Sequence, residues 1–229
     1  MLPAFDAVIL DLDGLILDTE STYWRAWQSA AEGLGFELHP ELFQKLSGQS
    51  IDQVARILTA TFGDSFDFPR FHELSTQLWH DWVTTHGIDI LPGYERFISI
   101  LRQHGIPYLL ATNSQRRYAE QCLRLAGIPD HFPEMISRDN VSQGKPAPDI
   151  YLRAAEALSL PPSRCLAIED SYPGILSASR ANTLPVWIPG LSAPAREMES
   201  LLTAHFDTLD ELATAIEHRL VEPNHDDST

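Results

Sequence analysis

Cysteine is nearly absent from the 229-residue sequence, which has only Cys122 and Cys165. Two thiols exclude a disulfide framework, and their wide separation fits no metal-knuckle spacing. No apolar run approaches the ~20 residues that span a bilayer. The N-terminus lacks the basic segment, apolar core and small-residue cleavage site of a secretory signal. A soluble protein of the reducing cytoplasm is the expectation. Basic residues are also scarce: 16 Lys and Arg against 32 Asp and Glu leave a formal charge of −16. That field opposes nucleic-acid phosphates and anionic lipid at long range, so no nucleic-acid or membrane partner is expected. A small phosphorylated molecule would bind only where a metal ion and a lysine reverse the field locally. A monomer is the default expectation.

Several familiar site patterns are missing too. The nine histidines form no HExxH and no close His/Cys cluster, and Gly33-Leu34-Gly35 lacks the rest of a dinucleotide-binding fingerprint. There is no Gly-x-Ser-x-Gly elbow. His72, His80 and His86 therefore read as surface or core residues, with a substrate contact from one of them left open.

What is present is ordinary globular composition, 44% hydrophobic and 21% charged, in a chain long enough to bury a sizeable core. Short apolar runs recur at 7–10, 106–111, 133–136, 165–168 and 184–188, mostly followed by segments of helical period. Buried strands alternating with helices predict an α/β fold with a doubly wound parallel sheet. One interval breaks the rhythm. Between Leu10 and Ile106 the patterns are helical, at 19–34, 51–62, 71–86 and 93–104, and one crossover helix cannot occupy so much chain. An inserted helical unit over residues 17–88 is predicted, with the core formed by 1–16 and 89–220 and a polar, disordered tail at 221–229. Trp24, Trp27, Ala31 and Leu34 share one helical face, expected to form the insertion's own core rather than an aromatic ligand cage.

Ligands of an open parallel sheet bind beyond the carboxyl ends of its strands. Asp11-Leu12-Asp13-Gly14 follows the first candidate strand, Thr112-Asn113-Ser114 the second and Glu169-Asp170-Ser171 the fourth, while Gly144-Lys145-Pro146 lies downstream of the third. Acids, a hydroxyl and a lysine would thus converge on one edge, a site suited to a hard dication and a phosphoryl group. Singly each has a plain structural use. Asp-x-Asp-Gly suits a tight turn, Thr112-Asn113-Ser114 a cap for the helix beginning near Gln115, and Glu169-Asp170 an exposed helix start. Asp11 does not open a calcium loop, because Gly14 and Glu20 fall at the wrong positions.

The segments DLDGLILDTE, LLATNS, GKPAPDIYLRAAEALSLPPSRCLAIEDSYPGILSA and PVWIPG, in that order, resemble the haloacid dehalogenase-like hydrolases related to beta-phosphoglucomutase and phosphoglycolate phosphatase. The resemblance covers nearly the whole chain. It implies a Rossmann-like core with a mobile helical cap inserted after the first motif, hinged near Leu17 and Ile88. It also implies Mg2+-dependent phosphatase chemistry on a small phosphorylated metabolite such as a sugar phosphate. Asp11 is then the expected nucleophile, forming an aspartyl-phosphate, and Asp13 the acid that protonates the leaving oxygen and later deprotonates water. The implied metal set is Asp11, Asp13 through its main-chain carbonyl, Glu169 and Asp170. Thr112, the main chain near Asn113 and at Leu12 to Gly14, and Lys145 are the expected phosphate ligands, with a cis Lys145–Pro146 peptide. Asp18 is expected to cap the first inserted helix.

Two alternatives are weighed beside it. A sugar-phosphate mutase would carry a cap histidine and a cap arginine where this chain has Tyr23 and Ile51. A phospho-receiver module would begin with paired acids and place its phosphoacceptor on a later strand, whereas here the pair Glu169-Asp170 comes late. Gly48, Gln49 and Ser50 are candidates for a substrate-facing loop or a simple turn between helices.

Overall fold

The computed structural model describes residues 2–46, 51–63, 65–190 and 196–221. Gly48, Gln49, Ser50 and the tail from Glu222 onward lie outside them. In chain order the elements are β1 (Ala7–Leu10), α1 (Thr19–Gly33), α2 (Pro40–Leu46), α3 (Ile51–Phe62), α4 (Phe68–His86), α5 (Tyr94–Gln103), β2 (Tyr108–Ala111), α6 (Arg116–Leu125), β3 (Met135–Ile136), α7 (Asp149–Ala157), β4 (Cys165–Glu169), α8 (Tyr172–Arg180), β5 (Leu184–Trp187), β6 (Ala204–His205) and α9 (Leu209–Val221). The strands form one parallel sheet in the order β3-β2-β1-β4-β5-β6.

Alternation along β1 explains why both faces are apolar. Val8 and Leu10 face a layer with Phe97, Leu101, Leu123 and Ile216, drawn from α5, α6 and α9. Ala7 and Ile9 face the opposite layer with Ile150, Tyr151, Ala154 and Ala178 of α7 and α8. Fully burying each Val, Leu or Ile side chain contributes roughly 1.5–3 kcal/mol. A run of four apolar residues is the pattern of a strand covered on both sides.

Helices α1 to α4 fill the interval between β1 and α5. They enclose a separate cluster with Ala31, Leu38, Leu58 and Phe71 at its centre and Trp24, Trp27 and Leu34 packed against it. That matches the role expected for Trp24, Ala31 and Leu34, while Trp27 packs against the same cluster and also borders a cavity. Asp18 caps α1 by accepting from Ser21 N at 3.0 Å, and Asp67 caps α4 by accepting from Arg70 N at 3.0 Å. The chain leaves and rejoins the sheet region side by side. Leu17 bridges Ile90 in antiparallel fashion, Asp18 N donates to Asp89 O at 2.9 Å and Leu91 N to Ile16 O at 2.8 Å.

The differences from the sequence reading are local. Helix α2 and strand β6 were not anticipated, α4 begins at Phe68 rather than Phe71, and β2 begins at Tyr108 rather than Ile106. Helix α9 runs to Val221, one residue into the segment expected to be a tail.

Candidate active site

The sheet order reverses direction at β1, between β2 on one side and β4 on the other, and this is where open α/β sheets bind ligands. Asp11 is the first residue beyond β1, with its N–H bonded to Ile168 O of β4 at 3.1 Å. The chain then curls tightly: Leu17 N donates to Leu12 O at 3.1 Å and Gly14 N to Leu17 O at 3.0 Å. Gly14 adopts φ +82°, and a Cβ there would overlap the Asp170 carboxylate, so glycine is required on both counts. Its N–H, expected among the phosphate donors, is instead consumed in closing this turn.

Lys145 occupies the centre. Its ammonium donates to Asp11 Oδ1 and, at 2.9 Å, to Ala111 O, and it pairs with Glu169 Oε1 at 2.6 Å. The lysine side chain is only 4% exposed. Its backbone is clamped reciprocally by Asn113: Lys145 N donates to Asn113 Oδ1 at 2.8 Å and Asn113 Nδ2 to Lys145 O at 3.2 Å. The Lys145–Pro146 peptide is cis. Glu169 is fully buried and further held by Tyr151 OH at 2.6 Å and Ser171 Oγ at 3.1 Å. A Cβ on Gly174 would fall within the Glu169 carboxylate, so the start of α8 can lie against it only as glycine.

Oxygen atoms of Asp11, Glu169 and Asp170 all lie within 4.8 Å of one another, and all three residues are buried. Burial pushes the Asp11 carboxyl up to about 7, against the pull of Lys145 and with help from Glu169 and Asp13. Burial likewise raises Asp170 well above the usual carboxylate range, reinforced by Asp11 and Glu169. Burial draws the Lys145 ammonium down, but Asp11 and Glu169 outweigh it and its pKa is raised. If all three acids ionise, their three negative charges face one ammonium and leave a surplus of two. An oxygen-only donor set with that surplus fits a hard dication such as Mg2+.

Asp13 stands apart from the buried triad. Its carboxylate accepts from Ser114 Oγ at 2.7 Å and Tyr118 OH at 3.4 Å. Thr112 Oγ1 accepts from Ser114 N at 3.0 Å, which leaves its hydroxyl proton for a ligand. Thr112-Asn113-Ser114 therefore does not cap the following helix. Arg116 N at the start of α6 donates to Asp139 Oδ2 at 2.8 Å, a cap supplied from beyond β3. Sequence reasoning missed Ser114, Tyr118, Tyr151 and Ser171 as partners of these acids. Only Ser114 and Ser171 carried a signal, their adjacency to the strand-end motifs.

Above the acids opens a cavity of about 810 Å³, walled by strand-end residues, by α6 and by α1, α3 and α4 of the insertion. It contains Asp11, Asp13, Thr112, Lys145 and Asp170.

The model of haloacid dehalogenase-like hydrolases matches residues 5–182. The chain belongs to that family. Among curated relatives, hexitol phosphatase A of Escherichia coli is 31% identical over 199 residues, covering 85% of this chain and 88% of its own. Beta-phosphoglucomutase of Bacillus subtilis is 30% identical, covering 80% and 82%. The bifunctional riboflavin kinase/FMN phosphatase of Arabidopsis thaliana is 30% identical over 80% of this chain, which spans only 48% of that protein. A Deinococcus radiodurans HAD family hydrolase, solved with bound phosphate and sodium, superposes with a TM-score of 0.82 at 28% identity, covering 93% of this chain and 96% of that one. The family assignment agrees with the six-stranded sheet and the helical insertion after β1.

Proposed function

We propose that the protein is a cytoplasmic, monomeric, Mg2+-dependent phosphatase that hydrolyses a small phosphate monoester, a sugar phosphate or similar metabolite, through an aspartyl-phosphate on Asp11. The observation that carries this reading is the buried Lys145 joining Asp11 to Glu169 beneath an open cavity. It holds a carboxylate oxygen at the cavity floor and supplies the positive charge a phosphoryl group needs in a chain of charge −16. Names of relatives such as hexitol phosphatase A support the ester class.

Asp11, Asp170 and the Asp13 carbonyl would hold Mg2+, with Glu169 in support behind them. When bound, the ion neutralises phosphoryl oxygens and orients them. An Asp11 carboxylate oxygen attacks phosphorus, forming an O–P bond as the bond to the leaving oxygen breaks. Asp13 gives its proton to that leaving oxygen. It then takes a proton from water, which attacks the same phosphorus and releases inorganic phosphate and free Asp11. Thr112 Oγ1 and the main-chain N–H groups near Leu12, Asp13 and Asn113 donate to the phosphoryl oxygens. Lys145 offsets charge on both partners; a unit pair at 4 Å is worth on the order of 4 kcal/mol at an effective dielectric of 20. Residues 17–88 act as a cap over a core of 1–16 and 89–220, pivoting near Leu17 and Ile88, beside the Leu17–Ile90 bridge, to exclude water during the first transfer.

The mutase reading has less support. A mutase must bind a second phosphate in the cap, yet among the described residues bordering the cavity no Lys or Arg comes from the insertion. A receiver module is disfavoured by the 3-2-1-4-5-6 strand order, which differs from the 2-1-3-4-5 order of that fold. The test is phosphate release from a panel of monoesters with Mg2+ or chelator. Multiple turnovers that need Mg2+ and vanish in Asp11→Asn are expected. Isomerisation of a hexose phosphate without release, or a single stable phosphate on another aspartate, contradicts the reading.

A further inference from the structure

One wall of the cavity is aromatic. Tyr23 of α1 and Trp79 of α4 stack at 5.1 Å between centroids and 6° between planes. Tyr118 of α6 lies 6.3 Å from Tyr23 and 5.6 Å from Trp79, and Trp27 lies 6.3 Å from Tyr23, so rings from both the insertion and the sheet domain form one patch on the cavity. Tyr23, Trp27 and Tyr118 are partly exposed, which leaves some ring surface on the cavity. The Tyr118 hydroxyl is 3.4 Å from Asp13 Oδ1, so this surface begins at the group that protonates the leaving oxygen. A leaving group that extends from Asp13 toward the insertion would meet these rings.

On the insertion's side of the same cavity several polar groups are already engaged with the insertion itself, although Glu20 and His72 also border it. Ser75 Oγ and Thr76 Oγ1 both donate to the His72 carbonyl, at 3.1 and 2.8 Å. Trp79 Nε1 donates to Thr22 Oγ1 at 3.0 Å. Sugar hydroxyls placed against the rings themselves would exchange water for ring carbon, which is unfavourable wherever no polar side chain reaches them. A flat ring would bury apolar area and gain offset or edge-on ring contacts.

We propose that the preferred leaving group is an alcohol bearing an aromatic ring a few bonds from the ester oxygen, selected by the patch of Tyr23, Trp27, Trp79 and Tyr118 over sugars and other polyols. This rests on the phosphatase reading above and narrows its substrate class. Stacking of an unreacting ring acts equally on ground and transition states, so the preference resides mainly in KM.

The test uses the full chain with saturating Mg2+ and three primary alkyl phosphates of similar intrinsic reactivity: 2-phenylethyl phosphate, 2-cyclohexylethyl phosphate and glucose 6-phosphate. The phenyl ester is expected to exceed both others in kcat/KM by about fivefold to tenfold, through a lower KM. Tyr23→Leu is expected to bring the phenyl-to-cyclohexyl ratio to within about threefold of unity, and the native panel decides the matter even if that variant does not fold. Turnover of all three with glucose 6-phosphate equal or best, or with phenyl and cyclohexyl esters equal, overturns the aromatic preference and leaves the phosphatase reading intact. No turnover of any ester overturns both.

Discussion

Lys145 is surrounded by more negative charge than it can neutralise, and this has a titration consequence. Asp11 would lose its proton near 3.8 in an unfolded chain but holds it to about 7 when folded, chiefly because burial disfavours the carboxylate. Between those values the folded state binds more protons, so without a cation this group's contribution to stability declines as pH rises through about 7. A dication among Asp11, Glu169 and Asp170 reverses that loss by favouring the ionised acids. The rise in Tm produced by saturating Mg2+ is therefore expected to be larger at pH 8 than at pH 6 in thermal unfolding; an equal rise, or a larger one at pH 6, contradicts the assignment. At this scale the acids were readable because Asp11, Asp13, Glu169 and Asp170 sit in short motifs at the ends of apolar runs. Tyr151 and Tyr118 were not. Each lies on an amphipathic helix among Ile150, Ala154, Ala119 or Cys122, where an aromatic reads as packing, and only the fold shows that its hydroxyl reaches an acid.

Helix α1 is an element whose position matters more than its length. Asp18 follows the Leu17–Ile90 bridge and starts the helix, its N–H donating to Asp89 O and its side chain accepting from Ser21 N. Asp18→Ala removes the cap while keeping the backbone bond, and is expected to lower stability by about 1 kcal/mol. Denaturant unfolding reads that directly, and a change below a few tenths of a kcal/mol would show that the backbone bonds beside Leu17 and Ile90 alone set the helix start. The capped helices α1 and α4 were legible from periodicity. Helix α2, with only seven residues, is too short to display a period, and the two-residue β6 is a strand only through its pairing with β5. Both owe their form to neighbours rather than to local sequence.

The molecule as a whole repels the substrates proposed for it. A chain of charge −16 and a phosphate dianion interact unfavourably outside the cavity, and in the proposed mechanism Lys145 and a bound cation would reverse this locally. Salt shortens the reach of that repulsion, from ~30 Å at 10 mM to ~8 Å at 150 mM. Between these concentrations kcat/KM for a phosphate monoester is expected to rise severalfold, whereas a fall would mean that a positive approach path outweighs the net charge. The large-scale plan was the most legible part of the chain. Nearly a hundred residues of helical pattern between two strand patterns admit few arrangements other than an insertion. The strand order was less accessible, because β1 pairs with β2 and β4 rather than with anything near it in sequence. That order carries a cost in time. The central strand is made first, yet its neighbours Tyr108–Leu110 and Cys165–Ile168 follow about 100 and 155 residues later. At a synthesis rate of roughly 5–20 residues per second, Ala7–Leu10 waits on the order of 5–20 s for its first partner and about 8–30 s for its second. A strand wholly buried in the finished protein thus waits unpaired on the ribosome, and its two edges are not both covered until β4 emerges.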